Sequence, residues 1–253
     1  MSNGHRVDRL GWADGFVFDA FGLRVGLRVH DATDLPAAQR VIAELDWPVL
    51  EEPTADVIFS LRMGKPGSRR GVKNYHLLYA GGGQIQRTLE TTQAWNFFTE
   101  TLHHYVTTSS QKYVFLAGSM AVYQGRGILL PGFNGGADHI LEALQALGAT
   151  AFSQRFIIVC DDGAVAAYPK PSMDKLPVAI IAFTERREKV NVVRARVLTT
   201  GEASLQLFPH VINTRANPQK ALSALAKLGA GATSVYCRHA CEKKAVQALL
   251  RKL

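Results

Sequence analysis

Apolar and polar residues alternate along much of this chain, and in a few places the period lengthens from two to between three and four. Residues 15–30, "GFVFDAFGLRVGLRVH", carry Phe16, Phe18 and Ala20 on one parity. After a break near Gly22, Leu23, Val25, Leu27 and Val29 follow on the other. Two short strands, or one bulged strand, are expected there. "PAAQRVIAEL" then has helical spacing, with Asp34 as the expected cap and Pro36 in the first turn. Strands are predicted at 56–62, 75–80 and 84–89, and the loop 63–71 looks the most flexible stretch of the chain. Residues 91–107 form an amphipathic pattern with Trp95, Phe98, Leu102 and Tyr105 at three- and four-residue spacing, which predicts a helix. "TSSQ", at 108–111, marks a boundary.

Beyond it, "KYVFLAGSMAVYQGRGILLPG" reads as three short apolar strands, with "QGRG" turning between the second and the third. A glycine turn and a helix over 136–147 follow. "ATAFSQRFIIVCDDGAVAAYPKP" then reads as two strands, a "DDG" hairpin turn and a further strand. Strands are expected at 177–183, 190–197 and 233–237, and helices at 217–229 and 240–252. The order is α/β without the strict alternation of a doubly wound sheet. No repeat and no low-complexity tract interrupts it.

Composition narrows the function classes. The chain has 253 residues, 47% of them hydrophobic, enough for a sizeable core. No apolar run nears the roughly 20 residues that span a bilayer, and the polar start lacks an apolar signal core. No membrane association is expected, and with three cysteines a reducing, cytoplasmic setting fits better than a disulfide framework. The formal charge of +8 is spread out; its densest clusters are "GKPGSRRGVK" (64–73), "ERREK" (185–189) and "EKK" (242–244). None interleaves with aromatics, so solvated surface rather than a nucleic-acid platform is expected.

The segment "ILLPGFNGGADHILEALQALGA" has the strand–glycine turn–helix layout of a phosphate-binding loop. A working loop reads G-x-x-x-x-G-K-[ST]. Here Gly132, Phe133, Asn134, Gly135, Gly136, Ala137, Asp138 and His139 fill those eight places. The first glycine stays, the second is Ala137, and a carboxylate and an imidazole stand where the cation and the hydroxyl belong.

The flanking residues add to this reading. "YVFLAGSMAVYQGRGILLPG", the glycine turn and helix, and "LGATAFSQRFIIVCDDGAVAAYPKP" resemble, in order and spacing, the HPr kinase/phosphorylase family, most of all its HPr kinase-related branch. The resemblance covers about residues 15–250 and is strongest over 112–171. It implies a phosphoenolpyruvate-carboxykinase-like mixed-sheet core with a degenerate P-loop, preceded by a smaller α+β part. The expected division is a flexible terminus (1–14), an N-terminal α+β part (15–108) and an HPr-kinase-like core (109–253). Such kinases transfer a phosphoryl group from ATP or pyrophosphate to a protein serine with Mg²⁺. By the resemblance, the family's histidine falls at Ala117, its P-loop lysine at Asp138, its metal-binding hydroxyl at His139, and its acidic pair at Gln154 and Arg155.

Each of these places has the wrong chemistry for the transfer. Near phosphate, a unit charge at a few ångströms is worth about 4 kcal/mol at an effective dielectric near 20, and Asp in place of Lys reverses its sign. Loss of the base removes a further factor of about 10² to 10⁴. The expected protein is a kinase-derived pseudoenzyme that binds a protein or peptide partner and needs no cofactor. The alternative is an active ATP- or pyrophosphate-dependent serine kinase, with Mg²⁺, on a rearranged site. The family's habit of assembling through its core leaves a homo-oligomer open.

Two other readings of the turn stay open: a metal held by Asp138 and His139 with Asp161 or Asp162, or an anion met by Arg126, Arg155 or Arg187. "CRHAC" places Cys237, His239 and Cys241 at zinc-ligand-like spacing, with His210 as a distant fourth, but its place between a strand and a helix favours buried cysteines. His103, His104, Ser119 and Ser153 have no catalytic neighbour in sequence. Trp12, Trp47 and Trp95 are expected as core or inter-domain aromatics.

Overall fold

The computed structural model of the chain describes residues 7–51, 54–65, 73–132, 135–170, 175–187 and 194–252. Residues 66–71 of the loop expected at 63–71, Phe133 and Asn134 of the glycine turn, and the first half of the strand expected at 190–197 lie outside these residues. The chain divides into two compact units, Met1–Ser109 and Ser110–Leu253.

The first unit is a six-stranded mixed sheet with helices. β1 (Asp14–Ala20) and β2 (Leu23–Val29) form an antiparallel hairpin. Its two turn residues, Phe21 and Gly22, both have positive φ, the geometry whose twist suits a two-residue hairpin. α1 (Leu35–Glu44) buries Ala38 and Ile42, one turn apart, and carries the chain to β3 (Val49–Leu50) and then to β4 (Val57–Arg62), parallel to β2. β5 (His76–Ala80) and β6 (Gly83–Thr88) complete the order β3-β1-β2-β4-β5-β6. α2 (Thr91–Ser109) buries Ala94, Phe98, Leu102 and Val106 in one stripe. Phe98 meets Phe59 edge-on at 6.0 Å, and Trp47 stacks on Phe18 at 5.9 Å. Trp95 and Tyr105 flank the stripe rather than lead it.

Asp34 precedes α1 as expected but makes no capping hydrogen bond. It sits in helical geometry at the end of a short 3-10 turn. The side chain that accepts a turn-opening N–H is Asp31, three residues earlier, from Thr33 at 2.9 Å.

The second unit contains an eight-stranded mixed sheet. β7 (Val114–Tyr123) and β8 (Arg126–Pro131) form a hairpin, followed by α3 (Gly135–Gln145), β9 (Thr150–Ser153), β10 (Phe156–Val159) and β11 (Val165–Ala167). Then come β12 (Val178–Arg186), β13 (Arg194–Val197), α4 (Thr200–Leu207), α5 (Pro218–Gly231), β14 (Thr233–His239) and α6 (Glu242–Leu250). The order is β11-β10-β7-β8-β12-β14-β13, with β9 on β7. β8, β12 and β14 are mutually parallel, so Pro131, Arg186 and His239 end on one edge.

The core lies on both faces of these parallel strands. Leu130, Ala182 and Cys237 pack with α3 and α6, while Leu129, Ile181 and Phe183 pack with α4 and α5. Leu129 and Leu130 have no exposure at all, each worth about 1.5–3 kcal/mol of apolar burial.

The three strands expected before the glycine turn are two. β7 is one ten-residue strand through "AGS", because Gly118, at φ 154°, lets it change direction without ending. α4 was not expected, nor was β3. Among the described residues no helix is long and apolar enough to cross a membrane.

Candidate functional site

Gly118 lies at the centre of a row that crosses three strands. On one side it pairs with Pro131 of β8, and the Gly132 N–H donates to the Ala117 carbonyl at 2.9 Å. On the other, the Gly118 N–H donates to the Arg155 carbonyl at 3.1 Å, and the Ser119 hydroxyl to the Gln154 carbonyl at 3.0 Å. β9 and β10 both run along β7, with Gln154 and Arg155 as the break between them at the bend. A side chain could not replace the central hydrogen: a Cβ on Gly118 would stand 2.6 Å from the Leu130 carbonyl oxygen. Gln154–Arg155, Ala117–Gly118 and Pro131–Gly132 thus lie side by side. Arg155 turns its guanidinium over the Phe156 ring, 5.2 Å from the centroid.

The turn leaves this row at Gly132, whose φ of 96° favours glycine. The His210 ring fills the space a side chain would need, with Cε1 3.1 Å from an ideal Cβ. Burial pushes the His210 imidazole below its usual pKa. The chain then enters α3 at Gly135 and Gly136. Ala137 is buried against the sheet; Asp138 and His139 are exposed. Asp138 stands in the first helical turn, where a carboxylate interacts favourably with the helix dipole. His139 Nδ1 lies 3.4 Å from Glu142.

The neighbouring parallel strands bring further polar groups to the same edge. Arg186 ends β12 opposite His239, which ends β14. α6 starts at Glu242, whose carboxylate lies 3.4 Å from Arg186 Nη1. The Glu242 pKa is lowered, first by its own backbone N–H and then by the charges of Arg186, His239 and His139. His239 is wholly buried, and among the described residues neither ring nitrogen has a hydrogen-bond partner. Desolvation lowers its pKa, against the opposing pull of Glu242. β12 and β14 also present Glu185 bonded to Tyr236, Arg187 and Arg238, the last at 3.0 Å.

No protein-family model, no curated protein and no solved structure matches the chain.

The helix start offers a carboxylate and an imidazole, and the row beside it an amide, a guanidinium and a methyl group. Asp161 and Asp162 do not join Asp138 and His139: they form the β10–β11 turn and pair with Lys220 and Lys175 at 3.3 and 3.1 Å. Among the described residues no three His, Cys, Asp or Glu side chains are grouped to hold a metal. Cys237 is buried in the core under α3 and α6, and Cys241 is half-buried before α6. Arg126 opens β8 at the end away from the turn, and Arg187 is engaged by Glu185.

Sequence reading placed Arg186 and Glu242 only in charged surface clusters, and His239 drew notice only as a zinc ligand. They meet because parallel strands end together, a relation that spacing along the chain does not carry.

Proposed function

We propose that the second unit is an HPr-kinase-like core that has lost its transfer chemistry, and that the protein acts by binding a protein or peptide partner. The observation that carries this reading is the row Gln154–Arg155, Ala117–Gly118, Pro131–Gly132. The residues that stand where the family has a base, a histidine and the start of the phosphate loop are neighbours across three strands. Their backbone bonds keep the turn in place, while their side chains supply no base. Asp138 and His139 complete the loss at the helix start. The turn serves as packing: it delivers Ala137, Ile140 and Leu144 to the core.

Calorimetric titration with Mg²⁺–ATP and with pyrophosphate tests the reading. Neither is expected to bind with micromolar affinity, and mass spectrometry is expected to find no phosphoryl transfer. Asp138→Lys with His139→Ser is expected to gain weak pyrophosphate affinity without transfer, since Gln154 still offers no base. Micromolar, Mg²⁺-dependent ATP binding by the wild type rejects the reading in favour of an active phosphotransferase.

One observation favours a second reading, a small-anion site without transfer. α3 and α6 both begin at the edge where His239 holds two ring nitrogens without a hydrogen-bond partner among the described residues. Pyrophosphate binding that is lost in His239→Leu, with ATP inert, would select it.

A further inference from the structure

The first unit carries a cleft that neither the glycine turn nor its row explains. β4 presents Phe59 and Leu61, and β5 presents Leu78, to the buried side of their sheet. The opposite face is different. Register places Arg62, Leu77 and Arg87 in one row across the three strands. Around that row lies a cavity of about 620 Å³, which Lys65, Lys73 and Tyr75 also line.

Among the described residues, four cations line this cleft against one carboxylate, Asp31, and Lys65 already holds that carboxylate. Arg62, Lys73 and Arg87 form no ion pair among the described residues. Arg87 instead lies over the Tyr75 ring, 3.6 Å from its centroid. The two arginines of the row are two strands apart, about 10 Å. Like charges on one sheet face oppose folding, and a ligand of opposite charge relieves that cost.

The form of the ligand follows from the strand order. β6 is the last strand of the sheet, and among the described strands only β5 pairs with it. Its free side offers backbone donors and acceptors to an extended chain. Its residues Gln84 and Arg87 line the cleft itself. Base stacking is disfavoured, because the guanidinium already covers the Tyr75 face.

We propose that this cleft docks an acidic, extended segment of a partner protein as an added strand on β6. The proposal names a partner class for the function given above and rests on its partner clause alone. ATP binding by the turn would leave it standing.

Fluorescence anisotropy of a labelled decapeptide alternating Glu and Val tests it, with the Lys–Val decapeptide as control. The acidic peptide is expected to bind saturably and to weaken with salt. Arg87→Glu is expected to weaken it at least about tenfold, and the milder Arg87→Gln to weaken it less. Circular dichroism checks that both variants are folded. Lys243→Glu with Lys244→Glu, in the second unit, is expected to leave affinity unchanged. Three results overturn the proposal: no saturable binding of the acidic peptide, an equal loss in the Lys243/Lys244 variant, or displacement of the peptide by a short RNA or pyrophosphate that binds more tightly.

Discussion

His239 shows how one side chain can make stability depend on pH. Its ring is buried with no partner on either nitrogen among the described residues, and desolvation holds its folded pKa below 6.5. Glu242 and Arg186 are the charged groups that act on it, in opposite directions. As pH falls through 6.5 the unfolded chain takes up a proton before the folded one does, so stability present above that pH is lost below it. The urea midpoint is therefore expected to fall between about pH 7.5 and about pH 5, and to fall less in His239→Leu. His210, lowered by burial in the same direction, adds to the effect, and His210→Gln separates the two. Equal slopes in wild type and His239→Leu would show that the buried ring is not the source. Two glycines give a sharper comparison. A Cβ on Gly118 would press on backbone, while one on Gly132 would press on the movable His210 ring. Both have positive φ, worth about 1–3 kcal/mol of strain in other residues. Gly118→Ala is expected to cost more than Gly132→Ala in chemical denaturation; the reverse order would mean that the His210 ring cannot move.

At the scale of elements, α4 is held by a signal the sequence contains. Thr199 accepts from the Glu202 N–H, and Glu202 accepts from the Thr199 N–H at 2.8 Å, a reciprocal cap. Thr199→Ala is expected to cost about 1 kcal/mol. Arg196, with the Thr199 N–H, lowers the Glu202 pKa from 4.5 to about 2. The stability from that carboxylate is present above 4.5 and lost as pH falls through about 2. Melting over this range is expected to be steeper for wild type than for Glu202→Gln, and identical curves would reject the assignment. The threonine and glutamate spacing was readable in sequence, yet the helix was missed because "TGEASLQL" has too few apolar residues to show a stripe. Where the stripe or the alternation was strong, as in Ala94 to Val106 or Leu23 to Val29, the elements were readable. β7 was misdivided because Gly118 and Ser119 resemble a break when their partners are unseen. Strand pairing explains the rest. Arg186 beside His239, or Arg62 in a row with Arg87, follows from register between distant segments, which local pattern does not encode.

Over the whole molecule, each of the two units buries hydrophobic residues of its own. In the second unit the clusters on the two faces of the sheet draw only on residues from Val114 to Leu249. In the first, Phe18, Trp47, Phe59, Phe98 and Leu102 are buried among strands and helices of that unit. All three tryptophans, Trp12, Trp47 and Trp95, lie before Ser110. Tryptophan fluorescence therefore reports on the first unit, while far-ultraviolet circular dichroism reports on both. Leu225 has no exposure and belongs to the core between α5 and the second sheet. Leu225→Ala is expected to cost about 2–5 kcal/mol through lost transfer and an unfilled cavity. That loss should lower the denaturant midpoint seen by circular dichroism and leave the fluorescence midpoint in place. Phe98→Ala, at about 3–5 kcal/mol, should lower the fluorescence midpoint. If Leu225→Ala shifts both signals together, the two units unfold as one cooperative body and their cores are coupled.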